Sequence, residues 1–225
     1  MSEPLTHNFT INYPCISIPF KVGYQELIDF YTNLEPQTKQ YYCDTIQKDW
    51  NVVDVGANIG MFALLFGKLT TGKVWAIEAS EPNFDMLQQN IEQAGPFVGD
   101  VTPLRRYISN KTSKDAGEIH YFWTGRGSVC REAGEFDFVT LDDLFEDQDR
   151  IDLIKIDIDG YDFEAVQGAV KIMERIKPIM VIELVDEALR MHGFNKQNVI
   201  DFMTENKYTN TKVLDNCNYV FERKE

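Results

Sequence analysis

The sequence predicts an α/β chain: a mostly parallel, doubly wound sheet with helices on both faces and an antiparallel hairpin at its C-terminal end. Three observations predict it. Residues 51–62 read NVVDVGANIGMF, an apolar β-branched run, a glycine turn and then strong helix formers. From residue 50 onward, short apolar runs alternate with helical stretches, the order that parallel strands require. Near the end, Asp215-Asn216-Cys217-Asn218 separates two strand-like runs and reads as a hairpin turn.

Taken in order, residues 1–20 alternate loosely and carry Pro4, Pro14 and Pro19, so they read as extended, with an edge strand. Tyr24 to Tyr31 reads as a helix, and a second runs from about Pro36 to Lys48, since proline is tolerated in a first helical turn. Their aromatics read as core. Strand one and its helix fill 51–69, and Lys73 to Glu78 is strand two. Glu81-Pro82-Asn83 opens a helix over 83–94, closed by Gly95. Val101 to Ser109 is strand three. Glu118 to Trp123 and Phe136 to Val139 form a further strand or hairpin pair around the small-residue loop Thr124 to Ser128. Thr140 followed by Asp142 and Asp143 has the form of a helix cap with first-turn acids. Ile151 to Ile158 is strand four, Phe163 to Arg175 a helix, Pro178 to Leu184 strand five and Lys196 to Asn206 the last helix. Tyr208 to Leu214 and Tyr219 to Arg223 make the terminal hairpin.

A length of 225 residues suits one α/β domain, residues 50–225, behind an N-terminal extension, residues 1–49, that packs on the ligand side. The net charge of −14 sets the chain against polyanionic partners, because affinity for nucleic acid comes largely from Lys and Arg on phosphates. Arg105-Arg106 is too short a basic run to redress that. Cys15, Cys43, Cys130 and Cys217 lie far apart, with no C-x-x-C and no Cys/His ligand spacing, so structural zinc is not expected. Dispersed thiols, an N-terminus without a basic or apolar leader region, and no apolar run of about 18 residues together predict a cytoplasmic chain with no membrane span.

The turn after strand one carries the ligand reading. A dinucleotide fingerprint counted from Gly56 needs glycine at the third and sixth places, where this chain has Asn58 and Met61. Those glycines let backbone approach a pyrophosphate, so the turn suits a ligand without one. S-adenosylmethionine fits: the helix start behind Gly60 can face its carboxylate, and Asp54 its ammonium. Glu78 lies 22 positions after Gly56, near the spacing of about 20 at which such folds set an acid on ribose hydroxyls. The expected cofactor set is Asp54, Gly56, Ala57, Asn58, Gly60, Glu78, Ala79 and Ser109.

The segment IDLIKIDIDGYDFE, residues 151–164, ends a buried strand in acids. Alternation puts Asp157 and Asp159 on one side if the strand persists through residue 159. Glu183 ends the neighbouring strand. Asp157, Asp159 and Glu183 are the expected catalytic set: they could act as base, orient an acceptor hydroxyl or hold a divalent cation, while Asp159 could instead cap the following helix. Of the histidines, His192 sits on a segment at the rim, His120 reads as packing in a strand, and His7 says nothing. Trp123 and the loop Gly125-Arg126-Gly127-Ser128 could line an acceptor pocket.

With these residues in hand the chain resembles the FkbM family of S-adenosylmethionine-dependent methyltransferases, over roughly residues 50–223. The matching stretches are VVDVGANIG at 52–60, Glu78 with EPNF at 81–84, VTLDDLF at 139–145, DLIKIDIDGYDFEAVQGA at 152–169 and KPIMVIEL at 177–184. The family's lysine, acid, glycine and second acid fall on Lys155, Asp157, Asp159, Gly160 and Glu164. Asp159 and Tyr161-Asp162 depart from its usual pattern, as does Ala79-Ser80 after the strand-two acid. The resemblance implies a class I methyltransferase (Rossmann-like) sheet of seven strands. It also implies O-methylation of a hydroxyl on a sugar, polyketide or other small metabolite. Two rivals count for less. An NAD-dependent oxidoreductase is disfavoured by Asn58 and Met61. A nucleic-acid N-methyltransferase would carry an (N/D)PP(Y/F) segment where this chain has Asp157-Ile158-Asp159-Gly160. A binding protein on the same fold would keep the turn without turnover.

Overall fold

The computed structural model describes residues 6–123 and 128–224, and the side chains within those spans except for residues 120–131. The chain opens with an antiparallel hairpin, β1 (His7–Asn12) and β2 (Ser17–Val22), which turns Ile11, Ile18, Phe20 and Val22 inward. Helices α1 (Leu27–Asn33) and α2 (Pro36–Thr45) follow. Cys15, beyond β1, is disulfide-bonded to Cys43 in α2, with Cα atoms 5.9 Å apart. This corrects the reading of dispersed thiols: 28 positions in sequence do not separate two side chains once the hairpin folds back on α2. The expectation of a reducing compartment loses that support. Cys217 is a free thiol. Among the described residues no helix is long and apolar enough to cross a membrane.

The main sheet begins with β3 (Val52–Val55), its helix α3 (Met61–Leu69), β4 (Lys73–Glu78) and α4 (Glu81–Ala94). Strand three departs from expectation. Asp100–Arg105 forms β5 beside β4, but the chain leaves the sheet at Arg106, and β6 (Tyr107–Ile108) pairs elsewhere. The cause is aromatic: the Tyr107 ring packs edge-on to Phe136 and Phe138, 5.0 and 6.0 Å between centroids. Those two rings belong to β8 (Ser128–Val139), which pairs with β7 (Ser113–Trp123) in a separate three-stranded sheet ordered β6-β8-β7. The expected loop at 124–127 and the side chains of His120 and Trp123 lie outside the described residues.

Thr140 caps α5 (Leu141–Leu144) as expected, accepting the Asp143 amide at 3.0 Å. Then come β9 (Leu153–Ile156), α6 (Asp162–Gln167) and α7 (Val170–Arg175). The sequence predicts one helix where α6 and α7 stand. Asp142 makes the break, its carboxylate accepting the Lys171 and Ile172 amides at 2.9 Å each and so starting a new helix. Gly168 at the junction lies against the Ser109 carbonyl, with no room for a side chain. The chain ends with β10 (Ile179–Glu183), α8 (Asp186–Met191), α9 (Lys196–Glu205), β11 (Tyr208–Leu214) and β12 (Asn218–Arg223).

The seven strands run β11-β12-β10-β9-β3-β4-β5, parallel except that β12 is antiparallel to both β10 and β11. Strand alternation sorts the core into two layers. Val52, Val74, Leu153 and Val181 face α2, α3 and the N-terminal hairpin; Val53, Ile77, Ile154 and Ile182 face the helices from α5 onward. Residues 6–49 therefore share the first layer's core. Asn90 in α4 ties the hairpin to the first glycine turn, donating to the carbonyls of Ile59 at 2.8 Å and Lys21 at 3.0 Å.

Candidate active site

The sheet order reverses between β3 and β9, and the carboxyl ends of β3, β4, β9 and β10 open there on a cavity of about 240 Å³. That is a little below the usual range of small-molecule sites, about 300–1,000 Å³. Helix α1 and the segment after it roof the cavity with Phe30, Tyr31, Leu34 and Glu35.

On the β3–β4 side, the turn is held by backbone bonds. The amides of Gly56 and Ala57 both donate to the Ile77 carbonyl, at 2.9 and 2.8 Å. Asn58 sits in the left-handed region, φ 53°, and its amide donates to one oxygen of Glu78 at 2.8 Å. The Ser80 amide donates to the other oxygen at 2.9 Å. Glu78 is buried, and loss of water pushes its carboxyl up to about 7 against the pull of those two amides. Asp54 is 1% exposed, and neither of its oxygens has a hydrogen-bond partner among the described residues. Burial raises its pKa; the Lys155 ammonium 3.6 Å away and the Ala63 amide pull the other way without closing a hydrogen bond.

On the β9–β10 side, strand β9 stops at Ile156, so the alternation that would align Asp157 with Asp159 does not apply. Asp159 and Gly160 both take positive φ, 55° and 101°. The turn is tied by Asp162, whose carboxylate accepts the Ile158 and Gly160 amides at 2.9 Å each. Asp159 does not cap α6; that position belongs to Tyr161. Lys155, fully buried at the end of β9, pairs with Asp157 at 2.9 Å. Asp157, Glu183 and Glu35 bring carboxylate oxygens within 4.8 Å of one another. Three acids this close can take a cation or share protons. The negative charge of Asp157, then burial, pushes Glu183 up to about 10.

Of the residues singled out in sequence, Asp54, Gly56, Ala57, Asn58, Glu78, Ala79, Asp157, Asp159 and Glu183 line the cavity. Gly60 and Ser109 do not. Gly60, at φ 103°, packs under Leu64 and Leu87 where α3 starts. Ser109 is carried away with β6, its amide on the Val139 carbonyl at 3.1 Å. His192 is not in the lining either; its ring lies on that of Tyr161, 3.9 Å between centroids. Glu35 and Tyr31 were not foreseen. They stand in the N-terminal segment, and no spacing in the sequence relates residue 35 to residues 157 and 183.

The Methyltransferase FkbM domain model matches residues 54–219. The chain belongs to the FkbM methyltransferase family. Among solved structures, this FkbM chain is similar to the methyltransferase FkbM of Methylobacillus flagellatus KT, with 18% identity and a TM-score of 0.52 over 78% of this chain and 44% of that one. It thus spans less than half of that protein's length. The precorrin-6y C5,15-methyltransferase of Geobacter metallireducens GS-15 is similar at 13% identity and a TM-score of 0.49, over 83% of this chain and 86% of that one. At 18% identity the likeness to the Methylobacillus protein is one of fold. No curated protein sequence matches the FkbM chain.

Proposed function

We propose that this FkbM chain transfers the methyl group of S-adenosylmethionine to a hydroxyl of a sugar, polyketide or other small metabolite. The observation that carries the reading is the pair of buried acids at the ends of β3 and β4. Asp54 is buried with no hydrogen bond to either oxygen among the described residues, and Lys155 stands off at 3.6 Å, which leaves both oxygens able to accept from a cationic ligand group arriving beside them. Glu78 has spent one lone pair of each oxygen on the backbone and retains others for ribose hydroxyls. The donor set therefore fits an adenosine that carries an ammonium group. Ala57, Asn58 and Ala79 complete that side of the cavity.

When bound, the cofactor supplies an electrophilic methyl carbon on a sulfonium. The chain's own part is to hold the acceptor in line, about 3–3.5 Å from that carbon, and to take its proton. Asp157, Asp159 and Glu183 line the cavity on the other side of the switch point and are the residues we assign to the acceptor. A cavity of about 240 Å³ and a net charge of −14 favour a small-molecule acceptor over nucleic acid or a membrane surface.

The test is release of S-adenosylhomocysteine from S-adenosylmethionine with a panel of glycosides, phenols and polyketide alcohols. Asp157→Asn should cost turnover far more than cofactor affinity. A chain that binds the cofactor yet methylates amines or thiols and no hydroxyl would overturn the acceptor class.

A further inference from the structure

We infer that Glu35, which lies ahead of the family-matched residues 54–219, is the general base that takes the acceptor's hydroxyl proton; this rests on the function proposed above. Glu35 lines the same cavity as Asp157 and Glu183. Its position is the N-cap of α2, yet its side chain makes no capping bond. Asp215, from the turn between β11 and β12, caps α2 instead. It accepts the Gln37 amide at 3.2 Å, the Thr38 amide at 2.8 Å and the Thr38 hydroxyl at 2.8 Å. With the cap supplied from another element, the Glu35 carboxylate turns to the cavity. Its backbone takes φ 49° and ψ 59° directly before Pro36, an arrangement a non-glycine residue keeps only when its surroundings enforce it.

A base needs an orienting partner and an oxygen left for the proton. Asn218, buried on β12 opposite Glu183, donates its amide to Glu35 Oε2 at 2.9 Å, which leaves Oε1 for the acceptor. The neighbouring acids are otherwise engaged. The Lys155 ammonium sits on Asp157 at 2.9 Å, and Glu183, pushed up to about 10, holds a proton at neutral pH. Glu35 lies between these cases: burial, then the charges of Asp157 and Asp215, push it up to about 7. Lys39 and Tyr42 face it from α2, Lys155 and Asp157 from β9 and its end, Glu183 from β10, and Asp215, Cys217 and Asn218 from the last hairpin. A base near the working pH is the efficient one.

The step balances without a further reagent. The acceptor oxygen forms a bond to the methyl carbon while the carbon–sulfur bond breaks, its electron pair staying on a now neutral sulfur. The hydroxyl proton passes to Glu35 Oε1 and from there to solvent. The products are the methyl ether, S-adenosylhomocysteine and a proton.

Water is the smallest hydroxyl acceptor and is always present, so the test does not wait on the natural one. The full chain is incubated with methyl-labelled S-adenosylmethionine at pH 5.5 to 9, and labelled methanol and S-adenosylhomocysteine are followed. The expected wild-type rate exceeds the protein-free control and rises through a pH near 7. Glu35→Gln should lose about a hundredfold or more of that rate, the usual range for a general base, and should lose the pH-dependent rise. Its calorimetric affinity for S-adenosylmethionine should stay within about twofold. Glu35→Gly, which suits the left-handed backbone, should recover activity when formate is added, a rescue that a merely structural glutamate would not show. Glu35→Gln with the wild-type rate and profile overturns the inference. So does a wild type no faster than the control, or one silenced by a chelator. A wild type that fails to bind S-adenosylmethionine overturns the proposed function instead.

Discussion

The Glu78 carboxylate accepts the Asn58 amide at 2.8 Å, so the acid that ends β4 also fastens the glycine turn that follows β3. One side chain thus braces the turn and faces the cavity. Glu78→Ala should weaken S-adenosylmethionine binding by about 1.5–3 kcal/mol, the range for hydrogen bonds to a charged group, and should lower stability as well. Glu78→Gln keeps the shape and one acceptor oxygen, and should lose less of both. Calorimetry and urea unfolding on the two variants read these losses; unchanged affinity in a folded Glu78→Ala protein would remove Glu78 from the ligand site.

Lys155 is 1% exposed and stands between Asp54 and Asp157, at 3.6 and 2.9 Å. Removing its charge leaves Asp54 buried and uncompensated. Lys155→Met should therefore cost about 3–5 kcal/mol of stability, the usual penalty for breaking a buried ion pair from one side. A loss below about 1 kcal/mol on urea unfolding would mean that Asp54 already holds a proton.

Gly56 has φ 80°, and a β-carbon there would overlap the Asp157 carbonyl oxygen and come within 2.8 Å of the Ile158 side chain. The glycine is therefore needed for packing of the turn against the end of β9 before any ligand arrives. Gly56→Val should lower the melting temperature sharply or prevent folding. A well-folded variant that loses only ligand binding would contradict this and place the need for glycine at the ligand instead.

Burial pushes Glu35, Glu78 and Asp162 up to about 7, aided by the charge of Asp157 at Glu35 and Asp162 and by those of Asp159 and Asp54 at Glu78; the charge of Asp157, then burial, pushes Glu183 up to about 10. Unfolded carboxyls titrate near about 4. The folded chain therefore holds extra protons, and that contribution to stability is full below about pH 4 and is lost as pH rises through about 7 and beyond. The unfolding free energy should fall between pH 5.5 and 8.5. A cationic ligand favours the ionised acids, so S-adenosylmethionine should release protons on binding near pH 7. Calorimetry in buffers of different ionisation enthalpy measures that release, and proton uptake would contradict the assignment.

The parallel sheet was legible because β3, β4, β9 and β10 announce themselves as apolar runs with helices between, and the terminal hairpin because Asp215-Asn216 is a turn. What failed to show were features made by distant partners. Strand three divides because Tyr107 finds Phe136 and Phe138. One expected helix becomes α6 and α7 because Asp142 caps the second half from 29 positions away. The β3–β4 side of the cavity follows from a local turn, so Asp54, Asn58 and Glu78 could be placed together in advance. Glu35 could not, since its place depends on Asp215 capping α2 across 177 positions.

The central claim is tested most directly by titrating the full chain with S-adenosylmethionine, S-adenosylhomocysteine and NAD in a calorimeter. The account predicts single-site binding of the first two, weakened by Asp54→Asn and by Glu78→Gln, and no binding of NAD. Binding of NAD, or no heat with either adenosyl ligand in a folded chain, would contradict it.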